Sequence, residues 1–429
     1  MINKIFKLKA HDTDFKTEMI AGITTFLTML YIVPTNALIL SKSGMPLDAL
    51  ITATAFITMI VTIFNGFWSN TPIAMSVGMG INAYFSYGLV KGMGIPWQTA
   101  LGIVFIAGII LVILTLTPFR QWMIESVPDD IKSTISAAIG LFLAFIGLKE
   151  MGIIVASPVT LVTLGNISDK NVLLGIFGIG LVCTLYALKV KGAFILSIVV
   201  TSIFGWSVGI TEMPTKLISL PASIEPIAFE LDIASALTLS LFPVIVVFLI
   251  TDLFDTLGTL TGIGSRAGIF QKNESNLLQK ALKADASATV LGSLVGVSTI
   301  TSFIESATGV EEGGRTGLTA VVTGILFFLP LFLLPLFKAI PSNAIYPVLV
   351  MVGGLMFIEI GKINFKDIAI TFSSFVILLM MPLTFSITYG IASGILTFFI
   401  LLVVKRRFNE ISKGLLILAF ISLIVFLFR

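Results

Sequence analysis

From residue 17 to the C-terminus the chain is a succession of apolar stretches of roughly 17 to 25 residues, each long enough to cross a hydrocarbon core of about 30 Å as a helix. The pattern predicts spans at 17–41, 49–69, 72–90, 97–118, 131–149, 171–189 and 191–211. A longer and more polar connection follows at 212–235, with Pro214, Pro221 and Pro226 as breakers. Spans resume at 236–261, 281–298, 300–312, 317–337, 344–361, 367–384 and 387–405. The last apolar stretch, 413–428, is short enough to be either a fifteenth span or an interfacial element.

The two groups of seven echo one another. Val127-Pro128 followed by Ala138-Ile139-Gly140-Leu141 runs in one constant register with Ile340-Pro341 followed by Met351-Val352-Gly353-Gly354. A weaker match pairs Gly108-Ile109 with Gly324-Ile325. An odd number of spans per repeat turns the second repeat upside down, the arrangement that places a transport site at the repeat interface near mid-membrane. The expected fold is an all-α polytopic membrane protein of about 14 spans: residues 1–211 form the first repeat, 212–235 the connection and 236–429 the second repeat.

Composition agrees, with 56% hydrophobic and 11% charged residues, a balance foreign to a water-soluble globular chain. The formal charge of +3 is spread over loops without a basic patch, which argues against nucleic acid as a partner. Lys and Arg favour the cytoplasmic side. With the N-terminus inside, Lys4, Lys7, Lys9, Lys16, Arg120, Lys132, Lys189, Lys191, Arg266, Lys272, Lys280, Lys283, Arg315, Lys362, Lys366, Lys405, Arg406, Arg407 and Lys413 fall on that side, whereas the outer loops hold Lys42, Lys91, Lys149, Lys170, Lys216 and Lys338. This predicts a multi-pass protein of the cell membrane with a cytoplasmic N-terminus and no removable signal peptide. One cysteine, Cys183, reads as a small buried packing residue. His11 is the one histidine, so neither a histidine metal cluster nor a histidine-based triad can be assembled in the membrane; no catalytic set, metal site or cofactor is expected.

Charged groups deep in a span are functional candidates. Asp252 and Asp255 share roughly one face of the eighth span, with Thr256 and Thr259 as hydroxyl neighbours, and Glu305 lies in the tenth. For Asp252 above all, a structural tie to a neighbouring helix competes with a role in the site. The third span (Pro72 to Phe85, with Gly78 and Gly80) and the tenth (Ser298 to Val310) are poor continuous helices. They predict short extended strands at membrane depth, tolerable only where they line protein or a cavity. Close glycine packing is the alternative explanation for Gly78 and Gly80. Carboxylates without deep cations suit a solute rich in N–H donors, and a flat heterocycle could lie beside Phe303, Tyr84 or Phe85, although such aromatics more often serve packing.

Four motifs in order, Gly22 to Ile32, Gly78 to Phe85, Asp252 to Thr259 and Glu305 to Gly317, closely resemble the AzgA-like adenine/guanine/hypoxanthine permeases of the nucleobase:cation symporter-2 (xanthine/uracil permease) family. The resemblance covers essentially the whole chain. It implies a core domain, about 17–118 plus 236–337, and a gate domain, about 127–211 plus 340–429. It also implies purine:proton symport by alternating access at a site between the strands of spans three and ten and the eighth helix. Carried over by position, Asp255 and Glu305 hydrogen-bond the base and are the candidate proton carriers. Asn82 supports them; Phe303 offers a ring and Ile304 backbone groups. Thr259 stands where related carriers place a polar or titratable residue, and Asp252, Thr256, Gly78 and Gly80 are supporting. The implied partners are a purine base, a proton and the lipid bilayer, with a homodimer left open. A carrier of xanthine, uracil or another small solute on the same fold is the alternative; a channel or membrane enzyme is the remote one.

Overall fold

Within a bilayer each backbone N–H and C=O must be satisfied inside the protein, so the apolar blocks fold as helices. The computed structural model describes residues 2–117, 127–267 and 275–427. Arg120, Lys272 and Arg429, the last residues of the spans expected at 97–118 and 413–428, and the side chain of Arg266 lie outside the described residues. Among the described residues, seven helical segments are long and apolar enough to cross a membrane: Phe15–Ser41, Leu47–Ser69, Trp97–Thr115, Asp129–Glu150, Lys170–Ala187, Ser342–Lys362 and Ile387–Val404. Ala193–Ser207, Leu239–Asp252, Gly317–Phe332, Ile368–Leu383 and Lys413–Leu427 are apolar but shorter. Fewer helices than the expected fourteen meet the length by themselves because spans three and ten are broken by strands and the ninth begins with a charged stretch containing Lys280 and Lys283.

The first expected span is two helices, α1 (Phe15–Met29) and α2 (Ile32–Ser41), separated at Leu30-Tyr31; α3 is Leu47–Ser69. The chain then extends as β1 (Met75–Val77), enters the short α4 (Met79–Ala83) and widens into a π-helix over Tyr84–Gly92 before α5 (Trp97–Thr115). α6 (Asp129–Glu150) is followed by a hairpin, β2 (Ile154–Ser157) and β3 (Leu161–Leu164), that the hydropathy pattern does not predict. Next come α7 (Lys170–Ala187) and α8 (Ala193–Ser207). In the second half α9 (Phe242–Ala267) starts later than residue 236, after two short turns at Ile233–Ala236 and Leu239–Leu241. It leads to α10 (Ser275–Val295), β4 (Ile300–Ser302), α11 (Ser306–Glu311) and α12 (Gly317–Leu326). α13 (Ser342–Phe357), α14 (Ile368–Leu383), α15 (Ile387–Val404) and α16 (Lys413–Leu427) complete the chain.

Two sets of helices pack most closely among themselves. In the first, α12 lies on α1 and α3, and α10 on α3 and α5, with α9 and α11 between them. In the second, α13 and α14 lie on α6, α7 and α8 on α13, and α14, α15 and α16 follow one another. Small residues bring the backbones together. A Cβ on Gly140 of α6 would collide with the carbonyl of Gly353 in α13, and a Cβ on Gly353 with the carbonyl of Gly140. In the first set Gly108 of α5 meets Val290 of α10, and its sequence counterpart Gly324 of α12 meets Ile63 of α3.

One side chain corrects the sequence reading. Cys183 is exposed, not buried, because α7 packs through Gly175, Gly178 and Val182 and turns Cys183 outward, where its Sγ lies 3.9 Å from Met351 Sδ.

Candidate functional site

Extended backbone at membrane depth needs polar partners, and each strand receives them from the helix just before it. β1 and β4 pair antiparallel, Met75 opposite Ser302, Ser76 opposite Thr301 and Val77 opposite Ile300. Gly78 N–H to Thr299 O (3.1 Å) and Phe303 N–H to Ala74 O (3.0 Å) extend the ladder. On the β1 side, α3 supplies Asn65, which donates to Ile73 O (2.7 Å), and Thr62, which donates to Met75 O (2.7 Å) and accepts from Met75 N–H (3.0 Å). On the β4 side, α10 supplies Thr289, which donates to Ile300 O (2.8 Å), and Asp285, which accepts from Ser302 N–H (2.8 Å) and Ser302 Oγ (3.1 Å). The strand crossing is thus a fixed polar feature inside apolar helices, as buried polar groups require.

The acids gather around this crossing. Glu305 occupies the N-cap position of α11 and is half-buried; its Oε1 accepts a 2.6 Å hydrogen bond from the Tyr31 hydroxyl. Asp255, also half-buried, lies on α9 within electrostatic reach of Glu305 and Asp285. Thr256 donates to Asp285 Oδ2 at 2.6 Å and sits 3.2 Å from Thr301 Oγ1, which ties α9 to both α10 and β4. Phe303 is buried, whereas its neighbour Ile304 is 46% exposed, so the chain leaving β4 comes to the surface of the protein just before Glu305. Thr259 lies one turn along α9 from Asp255 and is half-buried.

Other residues singled out from the sequence turn into the protein. Asn82 is fully buried; its amide donates to Asn36 Oδ1 (2.8 Å) and Val297 O (3.1 Å), and its Oδ1 accepts from Thr299 (3.4 Å). It therefore braces α2, α4 and the approach to β4. Asp252 is buried, its Oδ2 3.2 Å from the Thr289 hydroxyl, a link between α9 and α10. Gly78 leaves room for Thr299, whose Oγ1 would lie 3.1 Å from an added Cβ, and Gly80 faces Ile139 of α6 in the second set of helices.

Three participants escaped the sequence reading. Asp285 stands among small residues, Ala284-Asp285-Ala286-Ser287-Ala288, inside the span expected at 281–298, so an acid at depth was available as a signal. Glu18 lies at the start of the first span and is fully buried. It accepts from the backbone N–H groups of Arg315 (2.9 Å), Thr316 (3.2 Å) and Thr319 (3.1 Å) and from Thr319 Oγ1 (2.6 Å), capping α12 from another helix. Tyr31 belongs to the Gly22 to Ile32 motif, but nothing local marks its hydroxyl as the partner of Glu305.

Residues 16–393 match the model of the Xan_ur_permease family, described as a permease family. The adenine permease AdeP of Escherichia coli (strain K12) is 40% identical over 430 residues, which take in 100% of this chain and 96% of that protein. The guanine/hypoxanthine permease PbuO of Bacillus subtilis (strain 168) is 37% identical over 427 residues, 98% of this chain and 99% of that one. Among solved structures, the transmembrane domain of a cyanobacterium bicarbonate transporter, BicA, superposes with a TM-score of 0.63 at 15% identity, covering 88% of this chain and 97% of that chain, a likeness of fold alone. The family model and the full-length relatives thus lead to one conclusion: the chain belongs to the Xan_ur_permease family, the xanthine/uracil permeases, and is a multi-pass membrane transporter, not an enzyme.

Proposed function

We propose that this permease imports a purine base, adenine or guanine/hypoxanthine, by proton symport through alternating access. The observation that carries the reading is the pair of half-buried carboxyls, Asp255 on α9 and Glu305 at the start of α11 just after β4, which lie within electrostatic reach of each other. A purine edge is rich in N–H donors, and carboxylates are acceptors able to take two such bonds each. The names of AdeP and PbuO support a purine over other small solutes. In this reading Phe303 and Ile304 border the base, and Asn82, Thr256 and Asp252 hold the strands and α9 in place. Thr259 lies near enough to adjust selectivity.

The first set of helices is then the core and the second the gate. The core moves as a unit against the gate to expose the site to either side, with the N-terminus in the cytoplasm. Equivalent glycine crossings in the two halves and strands that meet in opposite directions support fourteen spans in two inverted repeats. The carboxyls also supply the proton sites: a protonated acid donates as well as accepts, so base and proton favour each other's binding by linkage.

The test is uptake of labelled hypoxanthine, guanine and adenine into proteoliposomes by the wild type and by Asp255→Asn and Glu305→Gln. Each variant keeps side-chain size but loses an anionic acceptor that contributes about 1.5–3 kcal/mol, so apparent affinity falls roughly tenfold or more. Unchanged affinity in both variants at matched amounts of protein removes the two acids from the site.

A further inference from the structure

We propose that Tyr31 is a positioning residue for Glu305 and joins the substrate acid to the gate helices through Phe194. The inference rests on the reading of Glu305 as a purine ligand. Tyr31 lies where α1 gives way to α2, and its side chain is fully buried. Its hydroxyl donates to Glu305 Oε1 at 2.6 Å, the length of a charge-assisted O–H···O bond. One carboxyl oxygen is thereby held, which leaves Oε2 for a base. The ring of Tyr31 meets Phe194 of α8 edge-on, centroids 4.9 Å apart at 74°, and Phe194 stacks on Tyr186 at the end of α7, 6.0 Å away at 6°. Glu305 and Tyr31 belong to the first set of helices, Phe194 and Tyr186 to the second. Tyr31 therefore links Glu305 directly to the second set of helices.

A hydrogen bond elsewhere between the same two elements provides the control. Thr28 Oγ1 lies 3.1 Å from Thr308 Oγ1, joining α1 to α11 without touching the Glu305 carboxyl. A merely structural role for Tyr31 predicts that losing either contact loosens the two elements alike; a positioning role separates them.

The experiment measures equilibrium binding of labelled hypoxanthine, guanine and adenine to the purified full chain, and uptake rates in proteoliposomes, for wild type, Tyr31→Phe, Thr28→Ala and Phe194→Leu. Tyr31→Phe keeps the ring and should raise the Kd roughly tenfold, as expected for loss of a hydrogen bond that orients a charged group. Thr28→Ala should stay within about twofold of wild type. Phe194→Leu should keep the Kd and lower the maximal rate severalfold. Wild-type affinity in Tyr31→Phe, or equal losses in Tyr31→Phe and Thr28→Ala, overturns the proposal while the purine reading stands. Absence of binding of all three bases by the wild type overturns the purine reading and the proposal with it. Should Tyr31→Phe fail to fold, Phe194→Leu decides alone: affinity kept with a reduced rate supports the proposal, and any other outcome overturns it.

Discussion

Gly140 and Gly353 sit back to back, each with its Cα in the space that the other's carbonyl leaves, and they occupy equivalent positions in the two halves of the chain. The crossing of α6 and α13 is therefore one contact made twice. Adding a methyl group on either side forces the helices apart, and overpacking of this kind costs about 1–3 kcal/mol. Gly353→Ala should lower the temperature at which the detergent-solubilised protein loses its monodisperse peak in size-exclusion chromatography. Gly354→Ala, one position on in open space, should leave it unchanged. Equal midpoints for the two variants would contradict the close crossing.

Glu18 predicts a stability effect far from the substrate. Its carboxylate collects four hydrogen bonds at the start of α12, and Glu18→Ala leaves three backbone donors and a hydroxyl in a buried place without a partner. Each buried unsatisfied group costs about 1–3 kcal/mol, more than the loss of an ordinary surface cap. The same chromatographic midpoint should fall further for Glu18→Ala than for Glu18→Gln, which keeps one acceptor oxygen. Equal midpoints for wild type and Glu18→Ala would exclude the capping role.

Asp285 and Asp252 are both buried acids on the path from α9 to α10, yet they should behave differently. Asp285 holds the backbone and hydroxyl of Ser302 and the hydroxyl of Thr256, so Asp285→Asn disturbs β4 itself. Asp252 reaches β4 at one remove, through Thr289 at 3.2 Å, whose hydroxyl donates to Ile300 O. Asp285→Asn is expected to weaken purine binding roughly tenfold, by misplacing the strand that leads to Glu305, and Asp252→Asn to weaken it less. Direct binding assays on the two variants check the order; the reverse order would contradict the assignment of Asp285 as the anchor of β4.

The spans were legible because about twenty apolar residues in a row have few alternatives to a membrane helix. The broken third and tenth spans were legible because Pro72, Gly78 and Gly80 and the run Ser298-Thr299-Ile300-Thr301-Ser302 combine turn formers with β-branched and hydroxyl side chains at depth. The β2–β3 hairpin was not: its eight strand residues sit between two spans and are mostly exposed, with no buried face to impose a pattern. Asp255 and Glu305 stood out as acids in apolar surroundings. Their partners did not, for a different reason. Tyr31 and Glu305 are 274 positions apart, and Asp285 and Ser302 are joined through a fold that only the assembled helices define. Spacing along the chain reports which face a residue shares with its neighbours; it does not report which atom comes to meet it from the other half.

Asp367 gives a pH dependence outside the spans. Burial works against its charge, but hydrogen bonds from Arg407 and from the Ala369 N–H outweigh it and hold the carboxyl below its ordinary value. Arg407 Nη1 lies 2.5 Å from Asp367 Oδ2, and Ala369 N lies 2.9 Å from Oδ1. A carboxyl with a lowered folded-state value contributes stability that is fully present above the unfolded value of about 3.9 and is lost as pH falls through the folded one. Asp367→Asn should thus lower the thermal midpoint slightly at about pH 7, the pair being partly exposed and screened, and should converge with the wild type as pH falls through the lowered folded-state value. A difference that persists at the acid end would contradict the charge-based origin.

The central claim, a purine base carried with a proton, is tested most directly by loading purified protein into sodium-free vesicles and imposing an acid-outside gradient. The account predicts that labelled purine accumulates above its external concentration, that a protonophore abolishes the accumulation, and that adding purine without an imposed gradient makes the vesicle interior more acidic. Accumulation that survives collapse of the gradient, or that requires sodium, would contradict it.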